Sequence, residues 1–506
     1  MSDAQQQHAA DVADLAGFGY KQHLRRSLGS FSSFAAGYSF ISVLTGMFQL
    51  FGFGYAFGGP RIFLTWVLVF VGQLAVGFCF AELAARYPIA GSVYQWSKRL
   101  SSPAVAWFTG WTMLVGSVVT IAAVAIAMQI VLPVIWSGFE VFSNTTQNAV
   151  FLGCCVLIIT TILNIAGARV MSLVNNVGVA AELIGVFMLA LLLLFHAHRG
   201  PGVVFQSQGT GPGLPGYSFL GYGAAFLLAI IMPAYVMYGF DTASTLAEET
   251  KDPRQRGPKA IINALVAAGI GGGLILLFAL MSSPTLNPAK LGVGGLPYIV
   301  EAALGTGLGK VLLVDVGIAI FVCTLAIQTA TIRLTFAMAR DNNLPFGSAL
   351  AKVSHRSGSP AVPAIVTGAA AALILLVNVG KPQLFTIVTS VAIILVYMAY
   401  LLVTGALLRQ RRIGHLEAER HKGLFSMGKW GPWVNGFASL YGLLMAINLI
   451  WPRSAIYGPG GDAWGGLIFV AASSLAGFIY YSTVQKGRSA DLGVVDAHRV
   501  SELQTD

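Results

Sequence analysis

Two carboxylates stand out because each lies within or beside a long apolar stretch. Asp241 follows residues 200–240, which contain no Asp, Glu, Lys or Arg, and Glu182 has no charged neighbour between Arg169 and His196. An ionised, unpaired carboxylate at membrane depth costs at least about a few kcal/mol, so burial there favours the protonated form. Glu182 could therefore exchange a proton or sense a cation. The alternative is a structural carboxyl that neighbouring hydroxyls hold neutral.

The residues around Asp241 do not follow a regular helical pattern. Residues 233–244 read PAYVMYGFDTAS, which places Pro233, Gly239 and Asp241 within nine residues. An unsatisfied peptide group in hydrocarbon costs about several kcal/mol, so a break is tolerated only where the backbone lines a cavity or a ligand. Broken helices near the midplane form binding sites in many secondary transporters. The alternative is a simple kink, with Asp241 capping the next turn.

The composition sets the class of protein. Of 506 residues, 56% are hydrophobic and 10% are charged, and the mean hydropathy is +0.74. These values exclude a soluble globular chain and predict an all-α integral membrane protein. The first 26 residues are polar, so we expect no cleavable signal peptide. Cys79, Cys154, Cys155 and Cys323 lie in apolar stretches without CxxC spacing, so we expect packing roles, no metal site and no cofactor.

Twelve stretches are long enough to cross a bilayer, which takes about 20 residues. They cover residues 30–53, 62–81, 105–134, 150–167, 170–195, 217–246, 260–283, 311–339, 361–380, 384–408, 432–451 and 465–485. An even number places both termini on one side. If that side is cytoplasmic, only six of the 30 Lys and Arg face outward: Arg61, Arg199, Lys290, Lys310, Lys381 and Arg453. This bias predicts cytoplasmic termini in the plasma (inner) membrane, and the net charge of +10 then reflects topology and lipid rather than nucleic acid.

The first predicted span resembles the sixth in being interrupted. Residues 34–48 contain Gly37, Gly46 and several hydroxyls in the middle of an apolar helix. These hydroxyls could simply bond back to their own helix. Two interrupted spans five apart are, however, the pattern of two inverted five-helix repeats. Where the breaks face each other, free N–H groups would bind an anion such as a carboxylate, and free carbonyls would bind an amine or a cation.

The repeat pattern divides the chain into five parts. These are a cytoplasmic tail (1–26), the first repeat (27–199), the second repeat (200–412), two additional helices (413–486) and a second cytoplasmic tail (487–506). A membrane enzyme would need an HExxH motif, paired intramembrane acids or a nucleophile with its base, and the sequence shows none, so we predict that the protein is not an enzyme. A membrane nutrient sensor without transport remains an alternative.

Four motifs resemble those of a known family. LTGMF at 44–48 is similar to a GSGIF stretch, and residues 81–94 (AELAARYPIAGSVY) resemble the element that follows the second helix. Residues 238–258 are similar to the family's GF(D/E)…AEExKNP…P signature, and residues 333–345 resemble its SRxxxAMARDxxLP. In order and spacing these motifs, within residues 20–490, resemble the amino acid-polyamine-organocation (APC) superfamily, and within it the amino acid/choline permease branch.

The resemblance implies a leucine-transporter fold with a 5+5 inverted repeat and two extra C-terminal helices. It also implies substrate binding between the two broken helices. The amides of residues 42–46 would hold an α-carboxylate, the carbonyls of residues 235–238 would hold the amine, and Tyr235 would cover the substrate. The implied substrate-binding residues are Ser42, Thr45, Gly46, Tyr235, Tyr238, Gly239, Phe240 and Asp241. Glu182 falls where some proton-coupled relatives carry a lysine. Leu44 replaces the usual glycine, which argues against a plain α-amino acid pose.

The predicted function is secondary active transport of amino acids or related amines by alternating access, coupled to protons through Glu182. A choline or polyamine-type permease and an amino acid exchanger are alternatives. Two acids beside free carbonyls, with no intramembrane Arg or Lys facing them, favour a cationic or zwitterionic amine over a dicarboxylate. We also expect Arg333 to pair with an acid such as Glu248 and Asp315 to be solvated. The particular substrate, the coupling ion and the oligomeric state stay open.

Overall fold

The computed structural model describes residues 3–24, 26–207, 221–354, 357–377, 379, 384–414, 416 and 423–491. In these parts the chain is almost entirely helical and forms no strand, apart from an isolated bridge between Leu28 and Thr250. Several sequence predictions lie outside the described residues. They concern the start of the sixth predicted span before Gly221, the end of the ninth at Gly380, Lys381, and most of the C-terminal tail.

The helices of the first half are joined by short connections. In chain order they are α1 (Asp3–Gly17), α2 (Ser30–Ile41), α3 (Val43–Gly58), α4 (Ile62–Arg86), α5 (Ser92–Leu100), α6 (Pro103–Ala125), α7 (Met128–Ile135), α8 (Thr145–Ala166) and α9 (Ala168–Phe195). A single residue, Ser42, separates α2 from α3, and Gly59–Arg61 form a 3-10 turn before α4. The predicted interruption of the first span is therefore confirmed.

The helices of the second half differ more in length. They are α10 (Tyr222–Ala229), α11 (Ile231–Val236), α12 (Thr242–Thr245), α13 (Pro253–Ser282), α14 (Pro288–Arg340), α15 (Gly347–Leu350), α16 (Ala361–Val377), α17 (Leu384–Arg412), α18 (Gly431–Ile450), α19 (Ser454–Tyr457), α20 (Gly465–Tyr480) and α21 (Lys486–Asp491). The eighth span was predicted to begin at 311, but helical structure in α14 starts at Pro288. Gly295 (φ 59°) and Gly305 (φ 75°) interrupt α14, because glycine adopts positive φ at little cost.

Nine helical stretches of the described residues are long and apolar enough to cross a membrane. One of them, Ser30–Arg86, contains 57 residues, which would reach about 85 Å as a straight helix, well beyond a bilayer core of about 30 Å. Shorter apolar helices cover Tyr222–Val236 and Ala361–Val377. The chain is therefore a multi-pass membrane protein, and the number twelve stays a prediction.

The side chains of α9 show how the helices are oriented. Leu173, Val177 and Ile184 are 61–63% exposed and lie on one face, as expected for a surface in contact with lipid. The opposite face carries Glu182 and Gly185, which are buried against α2, α13 and α14. In the same bundle α13 packs along α4 and α2, and α14 packs along α3. These contacts bring the α2/α3 break next to α9 and α14.

Candidate functional site

The first helix break is centred on Ser42. Its backbone is left-handed (φ 38°, ψ 88°), which is uncommon for a residue other than glycine and is found most often where function constrains the chain. The Ser42 N–H donates to Tyr38 O at 2.8 Å and ends α2, while the Gly46 N–H donates to Ser42 O at 3.0 Å and begins α3. The first N–H groups of α3 thus have no partner within their own helix.

The second break follows α11. Residues 237–241 are not helical, and Gly239 has a φ of 90°. The Gly239 N–H donates to the Tyr400 hydroxyl at 2.9 Å, so α17 supplies a partner for one freed backbone group. The last carbonyls of α11, as at every helix end, have no donor in their own helix. The predicted interruption of the sixth span is confirmed.

The two breaks face each other. A Cβ atom at Gly46 would lie 2.6 Å from Val236 Cγ2, so α3 and α11 are in close contact at this point. The Phe40 ring lies against Gly239, and its centroid is 5.8 Å from that of Tyr238. Glycine is needed at positions 46 and 239 because any side chain would separate the two interrupted helices. The start of α3 and the end of α11 therefore pack directly against each other.

Glu182 contacts the first break directly. Its Oε1 accepts hydrogen bonds from the Ser42 hydroxyl at 2.9 Å and from the Leu44 N–H at 3.2 Å, and its Oε2 has no partner among the described residues. Ser42 and Thr45 share a hydrogen bond of 2.6 Å between their hydroxyls. The nearby Asp315 is half-buried: its Oδ2 packs against Gly185 without a hydrogen-bond partner, so the expectation that Asp315 is solvated holds only in part. α9 and α14 pack together and enclose that oxygen.

Asp241 lies at the second break with other partners. Its Oδ2 accepts from the Ser92 hydroxyl at 2.8 Å, and its Oδ1 accepts from the Tyr400 hydroxyl. A cavity of about 10 Å³ adjoins Asp241, Ser92 and Thr245 and has room for about one water molecule. An amino acid could enter here only if the surrounding helices separated. Glu182 and Asp241 thus belong to two neighbouring clusters rather than to one pair of acids.

The aromatic residues predicted for the site do not all lie on the same side. The Tyr235 and Tyr238 rings are 5.9 Å apart, and the Tyr238 hydroxyl bonds to Thr120 at 3.1 Å. The buried Tyr235 hydroxyl has Gln49 nearby, but no hydrogen bond forms between them within the described residues. Phe240 packs on the Phe80 ring and the Tyr400 ring and not on the first break. Tyr235 and Tyr238 are thus better placed than Phe240 to contact a ligand.

Several residues at the breaks were not expected from the sequence. They are Gln49 on α3, Ser92 on α5, Thr120 on α6, Cys323 on α14 and Tyr400 on α17. The Cys323 thiol donates to Phe40 O at 3.4 Å, near the end of α2. Only Ser92 lay within a recognisable motif, the YPIAGSVY element. The others are uncharged residues in apolar helices, so nothing in their local sequence marks them.

A third group of buried charges, which we call the ion-paired end, consists of Glu82, Glu248, Glu249 and Asp341 with their basic partners. Glu82 binds Arg86 and Arg411, Glu248 binds Arg340, Glu249 binds Arg333, and Asp341 binds Lys98. These residues lie towards the ends of α4, α5, α14 and α17 and on the chain between α12 and α13.

The partner predicted for Arg333 is wrong in one respect. Arg333 binds Glu249 at 2.8 Å, whereas Glu248 binds Arg340 at 2.9 Å. Glu248 and Glu249 are adjacent on a 3-10 turn and point in different directions, so each meets a different arginine of α14. Within the described residues no group of three or more His, Cys, Asp and Glu could hold a metal ion.

Interrupted helices that face each other inside an apolar bundle are the arrangement of a secondary transporter. The amino acid permease family model matches residues 28–478, and the chain belongs to this family, within the APC superfamily. It is a transporter and not an enzyme.

Two relatives and one solved structure place the chain further. It is 29% identical over 471 residues to the amino-acid permease BAT1 of Arabidopsis thaliana, covering 86% of this chain and 88% of the relative. It is also 29% identical to the methylthioribose transporter of Bacillus subtilis strain 168, covering 74% and 81%. MhsT, solved in complex with L-phenylalanine, superposes with a TM-score of 0.60 at 16% identity, covering 84% of this chain and 99% of MhsT. That likeness supports the leucine-transporter type of fold.

Proposed function

We propose that this protein is a secondary active transporter that moves amino acids or related amines across the plasma (inner) membrane by alternating access. The observation that carries the proposal is the contact between the two helix breaks, at Gly46 against Val236 and at Gly239 against Phe40. A backbone break inside an apolar bundle is costly unless a ligand or a polar partner uses the freed groups. The name of the Arabidopsis relative supports amino acids as the substrate class.

The proposed architecture is that of twelve spans with both termini in the cytoplasm. Residues 27–199 and 200–412 are the two inverted repeats, and residues 413–486 add two helices. The proposal is supported by the equivalent positions of the breaks, in the first span of one repeat and the first span of the other. Residues 1–26 and 487–506 are the cytoplasmic tails. The ion-paired end is then the cytoplasmic closure of the bundle.

The proposed substrate site lies between the breaks. Ser42, Thr45 and Gly46 form its α3 side, and Tyr235, Tyr238 and Gly239 form its α11 side. Phe240 and Asp241 hold the second break in place: the Phe240 ring packs on the Tyr400 ring, and Asp241 accepts a hydrogen bond from the Ser92 hydroxyl. Ser42, Thr45, Tyr235 and Tyr238 are all buried, so the described conformation is closed around these residues. Transport requires the helices on the two sides to separate in turn.

The proposed coupling ion is the proton, and the proposed coupling group is Glu182. Its carboxyl touches the first break through Ser42 and Leu44, so a change of its charge acts on the geometry of α3 directly. One oxygen is buried without a partner, which makes the ionised form costly. Protonation at this place therefore couples to the conformation of the substrate site.

Uptake into proteoliposomes tests the proposal. Purified protein is reconstituted, and uptake of radiolabelled amino acids and amines is followed with an inward proton gradient, without a gradient, and with a protonophore. We expect accumulation above equilibrium that the protonophore abolishes. Binding without accumulation would indicate a sensor. Uptake that depends only on a counter-substrate inside the vesicles would indicate an exchanger.

A further inference from the structure

The start of α3 is already occupied by a carboxyl group of the protein itself. Glu182 Oε1 accepts from the Ser42 hydroxyl at 2.9 Å and from the Leu44 N–H at 3.2 Å. These donors lie at the N-terminal end of a 16-residue helix, where free N–H groups and the helix dipole favour a negative charge. The α-carboxylate of an amino acid bound at this position would compete with Glu182 for these two donors. Two carboxylates cannot both accept from one Leu44 N–H and one Ser42 hydroxyl.

A second observation concerns the charge around this position. Glu182 is fully buried, and its Oε2 is left without a hydrogen-bond partner. Asp315 adds a second acid nearby, and neither acid takes part in an ion pair among the described residues. A ligand carboxylate would therefore enter beside two acids without a cation to compensate it. Such a carboxylate would gain no ion pair at this position, so the cost of burying its charge would not be compensated.

We infer that the Glu182 carboxyl takes the place of a ligand carboxylate in the binding site. The preferred ligand of the site is therefore an amine without a carboxylate on the carbon next to the nitrogen. The inference rests on the proposed function, because it concerns the same site between the breaks. An ammonium group would find acceptors in the unpartnered Glu182 Oε2 and in the last carbonyls of α11, of which Ala234 O already accepts from the Tyr397 hydroxyl. The Ser42 hydroxyl and the Leu44 N–H are already bonded without the ligand.

The test is equilibrium binding of matched ligand pairs to the purified full-length protein in detergent. The pairs are phenylalanine with phenethylamine and leucine with 3-methylbutylamine, which differ only by the α-carboxylate. We expect the parent protein to bind each amine at least about tenfold more tightly than its amino acid, a difference of about 1.4 kcal/mol. Tighter binding of both amino acids by the parent protein would overturn the inference.

The Glu182→Ala variant frees the Ser42 hydroxyl and the Leu44 N–H for a ligand. We expect the ratio of the two dissociation constants to move at least about tenfold toward the amino acid. Glu182→Gln removes the charge but retains an oxygen that can accept from both donors. Its ratio of dissociation constants should therefore also move toward the amino acid, but by less than in Glu182→Ala. If Glu182→Ala does not fold, Glu182→Gln decides, and an unchanged ratio in that variant overturns the inference.

Asp315→Asn is the matched control, because it removes a nearby charge and leaves both donors bonded to Glu182. We expect its ratio to stay within about twofold of the parent value. A shift as large as that of Glu182→Ala would assign the preference to net charge and not to the occupied donors, which would overturn the role given to Glu182.

Uptake into proteoliposomes separates this inference from the proposed function. A shifted binding ratio without uptake would reject transport and retain the inference. Uptake together with an unchanged ratio in the Glu182 variants would reject the inference and retain transport. Binding of neither member of any pair would overturn the inference, whatever the uptake of other solutes.

Discussion

Buried acids in this protein have two kinds of surroundings. At the ion-paired end, Glu249 lies 2.8 Å from Arg333 and Glu248 lies 2.9 Å from Arg340, and both acids are fully buried. At the helix breaks, Glu182 and Asp241 are equally buried, but their partners are hydroxyl and N–H groups. The first group is compensated by full opposite charges. The second is compensated only by dipoles.

This difference fits the roles proposed for the two regions, closure at the ion-paired end and ligand binding at the helix breaks. A buried ion pair is costly to break, because the remaining partner stays behind as an uncompensated charge. The ion-paired end thus resists opening. An acid held only by dipoles can change its protonation or accept a cationic ligand without the loss of a paired charge. The break region therefore retains acids that can respond to a ligand or a proton.

The largest effect is expected from Gly239→Ala at the second break. The backbone there has a φ of 90°, and a Cβ atom would overlap the Phe40 ring. We expect uptake to fall more than about a hundredfold while the protein still inserts, because the contact between the breaks is lost. The measurement is uptake in proteoliposomes at matched protein content.

Gly405→Ala on α17 is the matched control for Gly239→Ala. No atom lies within 4 Å of a Cβ at position 405, and the residue is helical, so alanine there should be neutral or slightly stabilising. A comparable loss of uptake in both variants would mean that the contact at position 239 is not specifically required for transport. The functional distinction between the helix breaks and the ion-paired end would then be unsupported.

The second prediction concerns the ion-paired end. Arg333→Met removes the partner of Glu249 and leaves a buried carboxylate uncompensated, so we expect a loss of about 3–5 kcal/mol of stability. The double variant Arg333→Met/Glu249→Gln should recover most of that loss. Asp241→Asn should cost less than Arg333→Met, because Ser92 and Tyr400 remain able to hydrogen-bond an amide.

Thermal denaturation in detergent, followed with and without denaturant, measures these differences. If Asp241→Asn destabilises as strongly as Arg333→Met, the two kinds of acid are energetically alike. The contrast between charged partners and dipolar partners would then not explain which acids serve closure.

The third prediction concerns proton coupling at Glu182. Glu182→Gln preserves size and hydrogen bonding to Ser42 and Leu44, so measurable substrate binding should remain. Acceleration of uptake by an inward proton gradient should be lost, because the amide cannot take up and release the proton. Tyr38, Asp315 and Cys323 are the other titratable groups that interact with Glu182, from α2 and α14.

Glu301→Gln is the control for this change, since Glu301 lies exposed on α14. Its uptake should respond to the gradient like that of the parent. A Glu182→Gln protein that retains the full response would show that Glu182 is not the coupling group, and Asp241 would be the next acid to test.

The sequence predicted the two helix breaks well, but it predicted poorly which side chains from other helices contact them. The breaks could be predicted because glycine, proline and a charge inside an apolar stretch conflict with an uninterrupted helix. The close approach of Gly46 to Val236 was expected only from the spacing of the two spans. That the breaks bind a substrate stays a prediction, since their geometry alone does not identify a ligand.

Partners across the bundle could not be predicted, because they depend on which helix faces which. Tyr400 and Cys323 are uncharged and lie in apolar helices, so nothing in their local sequence marks them. Arg333 could have paired with either of two adjacent glutamates. The orientation of the 3-10 turn that carries Glu248 and Glu249 decides which of them faces Arg333. The Ser42 and Leu44 donors of Glu182 are about 140 positions away in the chain, a distance over which a single sequence carries no pairing information.

The smallest effect is expected at the edge of the ion-paired end, from Tyr20→Phe in the segment before α2. The Tyr20 hydroxyl donates to Asp341 at 3.1 Å, and its ring lies 4.1 Å from the Arg340 guanidinium. Phenylalanine retains the ring contact and loses the hydrogen bond. We expect a loss of about 1 kcal/mol, because Lys98 still pairs with Asp341 at 2.8 Å.

The pH dependence identifies this hydroxyl as the cause. Burial, reinforced by the Asp341 carboxylate, raises the pKa of the Tyr20 hydroxyl above its ordinary value of 10. A group with a raised pKa in the folded state contributes its full stability below its unfolded pKa and loses it as the pH rises toward the folded value. The stability gap between parent and Tyr20→Phe should therefore be constant between about pH 6 and 9 and close above about pH 10. Thermal denaturation of both proteins across this range is the measurement. A gap that stays constant above pH 10 would mean that the hydroxyl has the same pKa in the folded and unfolded states, and the absence of a gap at every pH would mean that Tyr20 holds the ion-paired end through its ring alone.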